Sequence, residues 1–185
     1  MKSDRPKELK DTASAHMPWK NPAGKYIFQT TPLEINAPIE TVWKYVLDIP
    51  DYYTLSNHAI YATVDGKPEV GKTISMQLYR DKTLGKIFFG TSNETITELN
   101  DKNKTIGWER DLKCSGTTER YQVLIPSEDG KKTTSYIALK IPGIVGCVSS
   151  IGVFKNSIQS AFKQINEGIK IAAEKEESQR QLKNP

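Results

Sequence analysis

The sequence predicts an α+β domain in which a long C-terminal helix packs on an antiparallel sheet. The chain has 185 residues, a length that suits one domain with a single buried core. Its middle alternates apolar and polar residues with a period of two, as half-buried strands do, whereas its last apolar stretch steps by three or four, as a helix does. These patterns predict one domain over residues 26–176, followed by a short tail over 177–185.

The N-terminal part is predicted to contain an arm, a strand and two short helices. Residues 1–25 contain Lys, Asp, Ser, Pro and Gly without sustained periodicity, which predicts a loosely ordered arm. Strand-like residues follow over 26–36, and Pro38 then stands where the first turn of a helix tolerates proline. Apolar residues at helical spacing indicate that helix: Ile39, Val42, Trp43, Val46 and Leu47. Pro50 ends it, and residues 51–57 are predicted to form a second short helix.

The middle of the chain is predicted to be a meander of neighbouring antiparallel strands. Residues 74–79 and 106–111 each alternate with a period of two. Turn-forming residues separate such segments at Asp65–Gly66, at 100–103 and at 128–130.

The last element is predicted to be a long amphipathic helix. Its apolar residues step by three or four: Phe154, Ile158, Ala161, Phe162, Ile165, Ile169 and Ala172. Such a face must be buried, either against the sheet of its own domain or against another subunit.

The composition argues against several functions. The 26 Lys and Arg and 22 Asp and Glu give a net charge of +4 and alternate in sign instead of forming a basic stripe, so no nucleic-acid partner is expected. Cys114 and Cys147 lack metal-binding spacing, and His16 and His58 add no ligand pattern, so no metal or cofactor is expected. The longest apolar stretch, 141–154, is too short to span a bilayer. The start of the chain lacks an apolar signal core, so a cytoplasmic location is expected unless a signal has been removed.

One motif suggests a different function. Residues 66–73 read GKPEVGKT and satisfy the phosphate-loop pattern, in which Lys72 and Thr73 would open a helix whose amides hold phosphates. The residues after Thr73 alternate like a strand, however, and no helix of crossover length follows. This alternation favours a hairpin turn over a nucleotide site.

The segment LEINAPIETVWKYVLDIPDYY resembles the opening signature of the START-like superfamily (SRPBCC), in particular its polyketide cyclase/dehydrase and lipid-transport group. Gly71 before the strand TISMQLY and the closing helix add to the resemblance, which spans about residues 27–176. The matched signature residues are Asn36, Ala37, Pro38, Glu40, Val42, Trp43, Asp48, Ile49, Pro50, Asp51 and Tyr52.

The resemblance implies a helix-grip fold, in which a curved sheet wraps around the C-terminal helix and leaves a cavity for lipids, polyketides or other apolar molecules. A concave apolar cleft with a few polar groups is also the usual form of a ligand site. The predicted lining of this cavity is Trp108, Arg110, Glu119, Tyr121, Ile137, Phe154, Ile158 and Phe162.

Arg110 and Glu119 are the only candidates for catalytic groups. Strand parity places Arg110 with Trp108, and Glu119 with Tyr121, so a charged pair would lie beside aromatic walls if both faces lined the cavity. Alternatively, the two residues pair in solvent, since charged side chains are seldom buried. Two hypotheses therefore compete: a carrier or sensor for a small apolar ligand, which we favour, and a cyclase- or dehydratase-like enzyme acting on one. A third alternative stays open, an adaptor that uses the surface of the fold and has no physiological ligand.

Overall fold

The computed structural model describes residues 13–20, 24–49, 60–79, 88–113, 116–143 and 152–183. Two helices and eight strands lie within them, after a 3-10 turn at Ala13–His16. In chain order they are β1 (Gly24–Gln29), β2 (Leu33–Ile35), α1 (Ile39–Leu47), β3 (Ile60–Val64), β4 (Thr73–Tyr79), β5 (Phe88–Asn100), β6 (Thr105–Asp111), β7 (Thr117–Pro126), β8 (Thr133–Pro142) and α2 (Gly152–Lys183). This order confirms the predicted helix-grip α+β fold. The predicted second short helix, over 51–57, lies outside the described residues.

The strands form one antiparallel sheet in the order β1-β8-β7-β6-β5-β4-β3. From β3 to β8 each strand pairs with its neighbour in sequence, which is the predicted meander. β1 then returns to pair with β8. The pairing register is irregular once in β1 and twice in β5, and an extra residue in one strand increases its local twist.

The strand predicted over 26–36 is two strands, β1 and β2, which both pair with β8. Thr30, Thr31 and Pro32 separate them. Pro32 has no N–H to donate to the ladder, so the break falls where the sequence removes a hydrogen bond.

The main core lies between the sheet and the two helices. α1 buries Val42, Trp43 and Val46 at the predicted spacing, and α2 buries Ile165 and Ile169 in the same cluster. α2 continues past residue 176 to Lys183, so residues 177–183, predicted as a short tail, belong to this helix.

The N-terminal arm departs from the sequence prediction, because residues 13–20 pack on the outer face of the sheet. Ala13 and Met17 are buried there against Tyr121 and Tyr136. The Trp19 ring lies edge-on to Tyr121, with 5.5 Å between centroids. This segment lacks periodicity because its backbone is irregular. Its apolar side chains nevertheless cover the outer face of the sheet.

The phosphate-loop motif forms a hairpin turn between β3 and β4, as the alternation predicted. Thr73 begins β4, not a helix. The Lys72 ammonium donates to the carbonyls of Asp65 and Lys67, both at 2.9 Å, and so holds the turn together. Gly66 and Gly71 have positive φ angles of 69° and 90°, which glycine adopts without strain.

Candidate functional site

The inner face of the sheet carries a buried arginine between two aromatic rings. Arg120 on β7 stands directly opposite Trp108 on β6, so the two side chains share a face. Its guanidinium carbon lies 4.3 Å from the centroid of the Trp108 ring and 5.7 Å from that of Phe162 on α2. These distances fit cation–π contacts on both sides.

The same guanidinium has a carboxylate neighbour on β5. Arg120 Nη2 lies 3.4 Å from Glu94 Oε2 and donates to the sulfur of Met76 at 3.3 Å. Arg120 is only 8% exposed, and Glu94 is largely buried. A charged pair in this environment carries a desolvation cost of several kcal/mol per ion, which its mutual attraction only partly offsets.

Arg110, a predicted site residue, lies farther along the same face. It stands opposite Thr118 on β7, and its guanidinium donates to Ser92 Oγ at 3.2 Å. The Ser92 hydroxyl in turn lies 3.1 Å from Glu94 Oε1. Arg110 therefore reaches the Arg120–Glu94 pair through Ser92.

A second polar group links the sheet to α2. Ser135 on β8 donates its hydroxyl to Asn166 Oδ1 at 2.7 Å, and the Gln122 amide lies within hydrogen-bonding distance of both, at 3.1 and 3.4 Å. All three side chains are buried. Asn166 is thus held in one orientation from two strands.

The space between sheet and helix is small at this point. A void of about 10 Å³ is lined by Trp108, Arg120, Tyr121, Gln122, Ile137, Phe162 and Ile165. This is room for about one water molecule. Four predicted lining residues border the void: Trp108, Tyr121, Ile137 and Phe162. A larger, more open cleft of about 390 Å³ lies between α2 and the segment that joins β1 to β2.

Glu119 and Tyr121 lie on the opposite face of the sheet, so the predicted pair of Arg110 and Glu119 does not form. Glu119 stands opposite Glu109, one register position away from Arg110. It is 2% exposed because the arm covers it, and it accepts a hydrogen bond from the Lys20 amide at 3.2 Å. Glu119 therefore neither lines the cavity nor pairs in solvent, the two alternatives that the sequence left open.

Tyr121 packs beneath the arm. Its ring lies so close to Gly107 that a Cβ there would be 2.3 Å from the ring edge. Burial and then the nearby Glu119, Glu98 and Glu109 raise the pKa of its hydroxyl well above 10. Because Arg120 and Gln122 on either side point inward, Tyr121 borders the void only through its main chain.

The remaining predicted residues are on α2. Ile158 is half-buried, and the side chain of Phe154 lies outside the described part of the structure, as do His58, Cys114, Cys147 and residues 144–151. The sequence interpretation missed Arg120, Glu94, Gln122 and Asn166. Asn166 did carry a signal, since it lies four residues after Phe162, within the apolar face of the helix.

No group of three or more His, Cys, Asp or Glu that could hold a metal ion occurs among the residues that the structure describes. Across the same residues, neither helix is long and apolar enough to cross a membrane.

Comparisons with known proteins agree on the fold. No protein-family model matches the chain, and no curated protein matches its sequence. The solution structure of the KanY protein has a TM-score of 0.61 at 13% identity and covers 82% of this chain and 99% of its own.

Two crystal structures are similar in the same way. The protein TTHA0849 from Thermus thermophilus has a TM-score of 0.60 at 14% identity, covering 80% of this chain and 96% of its own. A norcoclaurine synthase point mutant from Thalictrum flavum, in complex with a transition-state analogue, has a TM-score of 0.53 at 11% identity. It covers 77% of this chain and 92% of its own. At this level of identity the likeness shows the fold alone, which is the helix-grip arrangement described above.

Proposed function

We propose that this protein binds a small, largely apolar molecule that carries a hydrogen-bond acceptor, in the interface between the sheet and α2. The observation that carries the proposal is the buried guanidinium of Arg120, held between Trp108 and Phe162 at the void. Replacing a buried ion pair by apolar residues is often neutral or stabilising. Stability therefore does not account for Arg120, whereas recognition of an acceptor in an apolar site does.

The surroundings of Arg120 fit such a ligand. Trp108 and Phe162 offer aromatic surface, and Ile137 and Ile165 complete an apolar wall. The Trp108 indole N–H is buried with no hydrogen-bond partner among the described residues, so it is a second donor for an acceptor at this place. Since the void has room for only about one water, binding requires Phe162 and its neighbours to move aside.

One fold neighbour adds support, since the norcoclaurine synthase point mutant is in complex with a transition-state analogue. A carrier or sensor remains our preferred class. The alternative is a cyclase- or dehydratase-like enzyme. Glu94 beside Arg120 supports this alternative, because a carboxylate paired with a cation can act as an acid or base. Under that hypothesis Glu94→Gln would abolish turnover of a bound ligand while binding survives.

The proposal is tested with a defined probe and with the protein's own passenger. Organic extracts of the purified protein are analysed by mass spectrometry. Binding of anilinonaphthalene sulfonate, an anionic fluorophore with apolar rings and acceptor oxygens, is measured by fluorescence. We expect Arg120→Met to weaken binding of the probe by roughly ten- to a hundredfold, the worth of one hydrogen bond to a charged group. The double variant Glu94→Gln/Arg120→Met removes the uncompensated carboxylate and should stay folded.

Lys104→Met is the matched control. Lys104 is also a buried, ion-paired cation, but it pairs with Glu40 and Asp101 at the β5–β6 turn, away from the void. It should lose stability without losing affinity for the probe. Saturable binding that Arg120→Met leaves unchanged, or weakens no more than Lys104→Met does, would contradict the proposal.

A further inference from the structure

The larger cleft, between α2 and the β1–β2 segment, shares no lining residue with the void at Arg120. Its volume of about 390 Å³ falls in the range of small-molecule sites, roughly 300 to 1,000 Å³. The cleft is therefore large enough to be a site of its own.

Two polar groups in the lining of this cleft lack partners. The hydroxyl of Thr30 and the amide nitrogen Nδ2 of Asn166 are buried and make no hydrogen bond with any described residue. Asn166 is 1% exposed and Thr30 is 8% exposed. Leaving such a group unsatisfied costs about 1 to 3 kcal/mol, and native structures contain few of them. Both atoms have almost no accessible surface, so a molecule in the cleft would reach them after a small shift of the β1–β2 segment and would then supply the missing partners.

The Asn166 amide is already oriented for this purpose. Its oxygen accepts from Ser135 and Gln122, at 2.7 and 3.4 Å, so the nitrogen remains as the donor. Because these contacts come from two strands of the sheet, little orientational freedom is lost when a ligand binds.

The charges at the cleft cancel. Lys163 and Glu167 form an ion pair across one helical turn, with 3.7 Å between Nζ and Oε1. The other polar lining groups are neutral, and Gln159 already donates to the main-chain oxygen of Gln29 at 3.1 Å. The cleft thus combines amides and hydroxyls with an apolar patch at Pro32 and Leu33 and carries no net charge, which suits a neutral ligand with hydroxyl groups and an apolar face.

We propose that the cleft between α2 and the β1–β2 segment binds a neutral hydroxylated molecule, a sugar or polyol, through Asn166 and Thr30. This site is separate from the apolar site at Arg120 and does not depend on it.

The test is a titration of the full, nitrogen-15-labelled chain with methyl glucoside, followed by nuclear magnetic resonance. The side-chain amide of Asn166 and the main-chain amide of Thr30 should shift saturably at millimolar ligand. Glucuronate and glucosamine, which carry a negative and a positive charge, should bind more weakly. If no neutral sugar or polyol shifts these resonances, or if a charged sugar binds more tightly, the proposal fails.

Thr30→Val separates a binding role from a structural one. The hydroxyl has no partner among the described residues, so its removal should leave the free energy of unfolding unchanged or raise it, while the affinity for methyl glucoside falls about fivefold. Thr97→Val is the matched control, because the Thr97 hydroxyl is likewise buried without a partner in the described part of the chain but does not line the cleft. It should leave the affinity unchanged, and equal losses of affinity in both variants would overturn the proposal.

Discussion

The two halves of α2 treat their polar neighbours differently. In the C-terminal half, Glu176 accepts from Lys44 and from the Tyr45 hydroxyl, each at 2.8 Å, and Glu174 accepts from the Asn36 amide at 2.8 Å. Near the N-terminal half, buried donors on Trp108 and Asn166 have no partner among the described residues.

Polar groups near the C-terminal half of α2 therefore stabilise the fold, whereas those near the N-terminal half are placed for binding. Satisfied polar contacts fasten α1 to α2 and fix the frame. Two of the unsatisfied groups, on Trp108 and Asn166, belong to residues that line spaces a ligand can occupy, where they cost stability in the free protein. Hydrogen bonds thus join α1 to the C-terminal half of α2, while the donors on Trp108 and Asn166 near its N-terminal half are available to a ligand.

The largest effect is expected from truncating one large aromatic side chain beside each half of α2. Trp43→Ala should lower the free energy of unfolding by about 3 to 5 kcal/mol, since Trp43 is 4% exposed in the main core and donates to Asp101 at 2.8 Å. Phe162→Ala should cost about 1 to 2 kcal/mol less, because its neighbours can collapse into the adjoining void. Urea unfolding of both variants measures this difference, and equal losses would argue for a solid core around Phe162.

The fold was largely predictable because its elements have strong local signals. The helix faces of α1 and α2 and the alternation of β4 and β6 follow directly from spacing. The division of the first strand into β1 and β2 was missed. The interruption at Pro32 is visible locally, but the pairing of both strands with β8 is a contact between residues distant in sequence. The arm was missed because its cover of the sheet depends on contacts between residues distant in sequence.

The site was less predictable for a specific reason. Parity within one strand identifies two faces, but pairing register decides which residues of β6 and β7 share one. The observed register pairs Arg120, not Glu119, with Trp108, so Arg120 and Trp108 lie on the same face of the sheet. The type of residue gives no signal either, because charged side chains are seldom buried. A charged residue opposite an inward tryptophan could be found only once the pairing of the two strands was known.

The fastening of α1 to α2 gives the next prediction, a dependence on pH. Hydrogen bonds from Lys44 and then Tyr45 hold the pKa of Glu176 below its usual 4.5. A carboxyl with a lowered folded pKa stabilises the protein above its unfolded pKa and loses this contribution as pH falls through the folded value. Glu176→Gln should therefore cost about 1 to 2 kcal/mol at pH 7, and the difference from wild type should shrink below pH 4.5. In wild type, burial and Glu176 also raise the pKa of Tyr45 to about 12, so its hydroxyl remains a donor throughout this range.

Glu177→Gln is the control for that measurement. Glu177 contacts Arg180 at 3.9 Å in a looser ion pair on the same helix. Its replacement should change the free energy of unfolding by less than about 0.5 kcal/mol. A difference between wild type and Glu176→Gln that persists at about pH 3 would show that the side chain acts by packing and not by charge.

The smallest effect is expected at the β3–β4 turn, where Lys72 fastens a surface hairpin. Its ammonium donates to two main-chain oxygens and lies 3.5 Å from Glu69, so Lys72→Ala removes contacts that are partly exposed to water. We expect a loss of about 0.5 to 1 kcal/mol, against almost none for the exposed Lys67→Ala. Because the amine already occupies the turn and Thr73 begins a strand, ATP with magnesium should leave the melting temperature of both wild type and variant unchanged. A saturable rise with ATP that Lys72→Ala abolishes would show that this turn can open and hold phosphate, and that a satisfied polar cluster can also be a binding site.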